Sequence, residues 1–136
     1  MPRFVNAALI TGALLIFGTL AQAQYGPRER YAPRSVSGLI DRVHADLNRS
    51  YGGWRFSRED RRRLNRAEKE LRDFSNKWNR GRFDKGELDE AIASIQHVVD
   101  NNRMPPRDRD ALMRDLAELR GMREAYDRHE IGYGRR

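Results

Sequence analysis

The residues of this chain whose types could do chemistry are three histidines (His44, His97 and His129), a carboxylate-rich run from Asp84 to Glu90, and four arginines (Arg61, Arg62, Arg63 and Arg66). Three imidazoles could in principle hold a metal ion, but ligands on one helix need a spacing such as i,i+4. These histidines fall in three separate segments, and the i±3 and i±4 neighbours of His97 include no second imidazole, only Ala93, Ser94, Asp100 and Asn101. The run Asp84-Lys85-Gly86-Glu87-Leu88-Asp89-Glu90 resembles the second half of a calcium loop. With Gly86 as the loop glycine, however, Gly81, Phe83, Lys85 and Ile92 fall where oxygen ligands are required. The same residues suit the start of a helix. Patterns such as G-x-S-x-G, H-E-x-x-H and the phosphate- or dinucleotide-binding glycine motifs are absent, and so is cysteine. The sequence therefore predicts no catalytic residues, no cofactor and no metal.

The arginines remain. Arg61, Arg62, Arg63 and Arg66 form the densest basic cluster, and a guanidinium presents planar, permanently charged donors to a phosphate or carboxylate. They predict a site for an anionic partner. The plainer reading is a solvated helix face, because Glu59–Arg63 and Glu68–Arg72 stand at the i,i+4 spacing of ion pairs. Basic outnumber acidic residues by 27 to 20, a formal charge of +7, and only Lys69, Lys77 and Lys85 are lysines. Such an arginine bias also arises from genome composition. Both signs are interleaved, whereas a nucleic-acid-binding helix shows a stripe of one sign, so no nucleic-acid partner is expected.

Positioning these side chains falls to a helical domain behind a leader. Arg3, the uncharged apolar run Val5 to Leu20 and Ala21-Gln22-Ala23 have the order of an export signal with its cleavage site, giving residues 1–23 as a signal peptide. The apolar run, about 16 residues, is shorter than the roughly 20 of a spanning helix. The mature chain is thus expected to lack a transmembrane segment and to be periplasmic or secreted. Residues 24–34, rich in Pro, Gly, Tyr and Arg without periodicity, read as a disordered lead-in. Residues 35–130 carry four amphipathic patterns, and residues 131–136 read as a frayed tail.

The first helix is predicted to begin at Ser35 or Ser37 and to bury Val36, Leu39, Ile40, Val43 and Leu47. Its exit, Tyr51-Gly52-Gly53-Trp54-Arg55-Phe56, carries aromatics suited to plugging a bundle end. The second opens on the capping pattern Ser57 to Asp60 and runs along Leu64, Ala67, Leu71, Phe74 and Trp78. Gly81 is placed for a left-handed cap, and Asp84 with Glu87 for a capping box, flanked by Phe83 and Leu88 as a staple. The third helix then follows Leu88, Ile92, Ile95 and Val99 to about Asn101. Pro106 suits the first turn of a fourth, which runs to about Glu130 along Leu112, Leu116, Leu119, Met122 and Tyr126. Together these predict an all-α fold, a small antiparallel bundle of four helices. Four short amphipathic helices could leave an apolar edge open for a homodimer.

The start Phe83 to Ile92 (FDKGELDEAI), the junction His97 to Leu116 with its Met104-Pro105-Pro106, and the export signal together resemble a group of small uncharacterised exported proteins of soil bacteria. That likeness spans roughly Phe74 to Leu119 and implies a secreted helical domain, without a mechanism. Two functional classes stay open. One is a non-enzymatic binding or structural protein of the cell envelope, with the arginines set against an anionic envelope component or a protein. The other is a periplasmic stress chaperone or metal-responsive accessory protein, similar in size and charge to the Spy/CpxP class. The Leu-Thr-x-x-Gln repeats of that class are missing here.

Overall fold

The computed structural model describes residues 31–51 and 56–131. Four helices follow one another: α1 (Pro33–Ser50), α2 (Arg58–Asn79), α3 (Lys85–Asn101) and α4 (Pro106–Asp127). No strand occurs among the described residues. The predicted signal peptide, residues 24–30 of the lead-in, residues 52–55 of the aromatic turn and residues 132–136 of the tail lie outside them.

Each helix packs on its successor, α1 closes the ring against α4, and the diagonals barely touch. Neighbours run antiparallel. Arg63, near the start of α2, bonds to Asn102 just past the end of α3, and Lys85 at the start of α3 meets Asp127 at the end of α4 at 2.8 Å. Leu47, Leu64, Leu71, Phe74, Leu88, Ile95, Leu112 and Leu119 have no solvent exposure. Each is worth about 2 kcal/mol of burial. The predicted face of α1 (Val36, Leu39, Ile40, Val43 and Leu47) is buried in the same core, so α1 is a full member of the bundle. Among the described residues Met113 is the one large hydrophobic side chain left exposed, at 54%.

Local chemistry explains the ends. Ser57 and Asp60 form a reciprocal capping box at 3.0 Å in both directions. Gly81, at φ 78°, closes α2 with a Schellman motif, in which the Arg82 N–H reaches the Lys77 carbonyl and the Gly81 N–H that of Trp78. Asp84 caps α3 by accepting from the Glu87 N–H at 3.1 Å, while the Glu87 carboxylate is held by Lys77. Phe83 stacks on Tyr126 with centroids 4.1 Å apart and meets Phe74 and Trp78 edge-on, sealing this end of the bundle. At the other end Tyr51 and Phe56 pack edge-on at 5.9 Å against the core.

Two boundaries differ from expectation. α1 starts at Pro33, with Ala32 as its cap residue, rather than at Ser35 or Ser37. The fixed φ of Pro33 suits the first helical position, and its missing N–H is one that would go unpaired anyway. α4 ends at Asp127 rather than near Glu130. His129 takes the left-handed conformation (φ 59°), and a second Schellman motif forms from the Glu130 N–H to Ala125 and the His129 N–H to Tyr126. This reversal folds Ile131, expected in the frayed tail, back into the core.

Candidate functional site

The four arginines separate into different roles. Arg63 is three-quarters buried. Its Nε donates to Asn102 Oδ1 at 2.6 Å and its Nη2 to Asp60 Oδ1 at 2.7 Å. It therefore pins the first turn of α2 to the C-terminus of α3 and serves the fold, correcting its expected place in an open cluster. The Asn102 amide, itself buried, donates to the Asp60 carbonyl at 3.1 Å. Burial acts to raise the Asp60 carboxyl, but hydrogen bonds from the Ser57 backbone, Arg63 and the Ser57 hydroxyl outweigh it and hold the group below its ordinary value. Arg109, in the first turn of α4, completes the junction by donating to the carbonyls of Val99 and Asn102. The Asn102–Arg109 segment thus satisfies α3 carbonyls that the helix end leaves open.

Arg62 pairs with Glu59 at 2.7 Å in the open. Arg61 and Arg66 are exposed and make no hydrogen bond or ion pair among the described residues. Neither predicted i,i+4 pair forms: Glu59 takes Arg62, and the Glu68 carboxylate accepts from His44 Nδ1 at 2.6 Å. Glu70 and Asp73 sit with Lys69, at 3.8 and 2.8 Å. Every acid of α2 is thereby engaged, and Arg58, Arg61, Arg66 and Arg72 stay uncompensated on the outward face of the helix. Sequence spacing had paired Arg72 and overlooked Arg58.

Between α2 and α3 lies a cleft of about 300 Å³, lined by Arg63, Arg66, Glu90, Ala93, Ser94 and His97. A second, of about 620 Å³, separates the outer edges of α1 and α4, where the small residues Ser35, Gly38, Ala117 and Gly121 leave space beside Arg42 and Glu118. The Tyr31 hydroxyl covers Gly121, 2.8 Å from where a Cβ would stand. Beneath this edge Arg42 bridges Asp115 (2.9 Å) and Glu118 (2.7 Å). Asp115 is 1% exposed, and its Oδ2 has no donor among the described residues. Burial pushes its carboxyl up to about 6, Arg42 pulls it down, and the neighbouring Asp46 carboxyl pushes it up again. Sequence reasoning missed this pair, although Asp46 beside Leu47 and Asp115 between Leu112 and Leu119 occupy core-facing positions of their helices. An acid in an apolar stripe was the available signal.

The histidines are not assembled. His44 holds Glu68, His97 holds Asn101 at 3.0 Å, and His129 turns the chain beyond α4. Among the described residues the only three-ligand grouping is Glu70, Asp73 and Glu87, and lysines already bind it: Lys69 holds Asp73 and Lys77 holds Glu87. In the run that mimics a calcium loop, Asp84 spends one oxygen on its helix cap and the other on Lys77 at 2.8 Å. That lysine, then the backbone N–H of Glu87, hold the Asp84 carboxyl below its ordinary value. No helix among the described residues is long and apolar enough to cross a membrane. No family model, curated protein or solved structure matches this chain.

Proposed function

We propose that the chain is exported and acts in the cell envelope as a non-enzymatic binding protein, using the arginine face of α2 against an anionic envelope surface. The observation that carries this reading is the uneven pairing along α2. Its acids are all consumed within the fold, leaving Arg58, Arg61, Arg66 and Arg72 with free guanidinium groups on one exposed face. Charges left in this way create a local positive potential beyond that implied by the net charge of +7. The apolar leader at residues 5–20, with its small-x-small sequence, supports export.

Vesicles containing anionic lipid, in a salt series, test the reading. Binding should be strong at low salt and fall steeply as salt rises. Neutralising Arg61 and Arg72 to Gln should weaken it by roughly fivefold per residue. An absence of binding at low salt would overturn the proposal and direct the search to client proteins, as a chaperone would require.

A further inference from the structure

We propose that the cleft between α2 and α3 binds a small ligand bearing one carboxylate and a neighbouring N–H donor, as in a free amino acid or the last residue of a peptide. The proposal rests on the reading of Arg66 as a residue free for anions, and it names a ligand class for that arginine.

Four side chains argue for it. Arg66 and Glu90 line one cleft, yet they form no ion pair with each other or with any described residue. In a cleft of about 300 Å³ that leaves space between opposite charges for a group that answers both. Ser94 lies in the floor, 8% exposed and without a hydrogen bond among the described residues, so its hydroxyl is offered to the cleft. The hydroxyl is not sealed from solvent, so an occupant would replace water there.

His97 supplies a further donor, and its tautomer is fixed by Asn101. The Asn101 side-chain atom 2.9 Å from the His97 carbonyl must be the amide nitrogen, because a carbonyl only accepts. The same NH₂ lies 3.0 Å from His97 Nδ1, which therefore accepts, leaving the ring proton on Nε2. A neutral His97 thus presents an N–H donor without needing a positive charge. Arg63 has two of its donor nitrogens committed to Asn102 and Asp60, and stiffens the wall.

The charge balance selects the ligand. Arg63 is neutralised by Asp60, and Arg66 and Glu90 line the same cleft, so a multiply charged phosphate would meet the Glu90 carboxylate with little net attraction. A single carboxylate can take Arg66, His97 and Ser94 while its adjacent ammonium or amide N–H donates to Glu90. Charge-assisted bonds of this kind, with a guanidinium fork, are the stronger class.

The test is titration of the ¹⁵N-labelled full chain with L-alanine, N-acetyl-Ala-Ala, its C-terminal amide, and inorganic phosphate. Alanine or N-acetyl-Ala-Ala should shift the amides around Ser94 and His97 saturably, and the preference between them separates a free amino acid from a peptide end. The amidated peptide and phosphate should bind at least about tenfold more weakly, as should the free acid to Arg66→Gln. Glu90→Gln should lessen the preference for carboxylate over phosphate. No saturable shift from either carboxylate, or phosphate binding as well as they do, would overturn the proposal. Arg61→Gln combined with Arg72→Gln should leave these titrations unchanged while weakening vesicle binding, so the cleft and the arginine face can fail separately.

Discussion

Single residues here carry opposite signs in the same motif. Gly81 and His129 both occupy the left-handed position that closes a helix, with φ of 78° and 59°. A Cβ at Gly81 would meet nothing within 4 Å, so Gly81→Ala should cost about 1 kcal/mol from backbone strain alone. His129 already bears that strain, and His129→Gly should stabilise by about 0.5–1 kcal/mol after the added freedom of the unfolded chain is deducted. Thermal melts of the two variants should move in opposite directions. Loss of stability in His129→Gly would mean that the imidazole makes a compensating contribution. The arginines give a second contrast. Arg63→Ala strips Asn102 and Asp60 of a shared donor and should cost roughly 2–3 kcal/mol in urea unfolding. Arg61→Ala, which removes no hydrogen bond or ion pair among the described residues, should stay within about 0.5 kcal/mol of the parent. Sequence alone placed both in one cluster. Their difference depends on Asn102, which lies 39 positions from Arg63 and is brought near only by the fold.

At the scale of elements, the helices were legible wherever periodicity and cap chemistry agreed. The apolar faces of α1 and α2, the Ser57 and Asp84 caps and the Gly81 turn all stand where their residue types predict. The exceptions were ends fixed by backbone preference rather than by a side-chain cap. Pro33 starts α1, and a non-glycine residue ends α4. The cleft of the candidate site was not legible, because Arg66 and Ser94 come from different helices and their opposition depends on the rotation of α3 against α2. That rotation is held at one end by Asn102. Its side chain accepts from Arg63 and donates to the Asp60 carbonyl, and its own carbonyl accepts from Arg109. Asn102→Ala should therefore destabilise by about 2 kcal/mol, and less so when Arg63 is already alanine. A double-mutant cycle should return a coupling of about 1–2 kcal/mol, as for groups in one network. Additive effects would show that the α2–α3 junction is held by apolar packing alone.

For the whole molecule, the consequential feature is that the ring of helices closes over buried charge. Where α1 meets α4, Asp46 and Asp115 share a region otherwise filled by Val43, Leu47, Leu112 and Leu116. Arg42 compensates Asp115 together with Glu118, and Arg49 engages Asp46 at 2.7 Å. Two adjacent carboxylates in a buried site are better tolerated when one carries a proton. The Asp115 carboxyl is accordingly pushed up to about 6 by burial, above its value of 3.8 in an unfolded chain. Between these values the folded state binds more protons, so the associated stability is full below about pH 4 and is lost as pH rises through about 6. Asp60 and Asp84 work in the other direction, since their lowered carboxyls add stability that is lost only as pH falls below the ordinary carboxylate range. The bundle should therefore be most stable in mildly acid solution and weaken toward neutrality. Asp115→Asn keeps an acceptor for Arg42 and supplies an N–H toward Asp46 at every pH. Urea unfolding should show this variant more stable than the parent at pH 7.5, by an amount on the order of 2 kcal/mol, with the two converging near pH 4.5. A constant offset across that range would mean that Asp115 is ionised throughout and that Arg42 alone compensates it. If the difference instead opens between pH 5 and 7, the contact of α1 with α4 is the part of the fold that responds to pH.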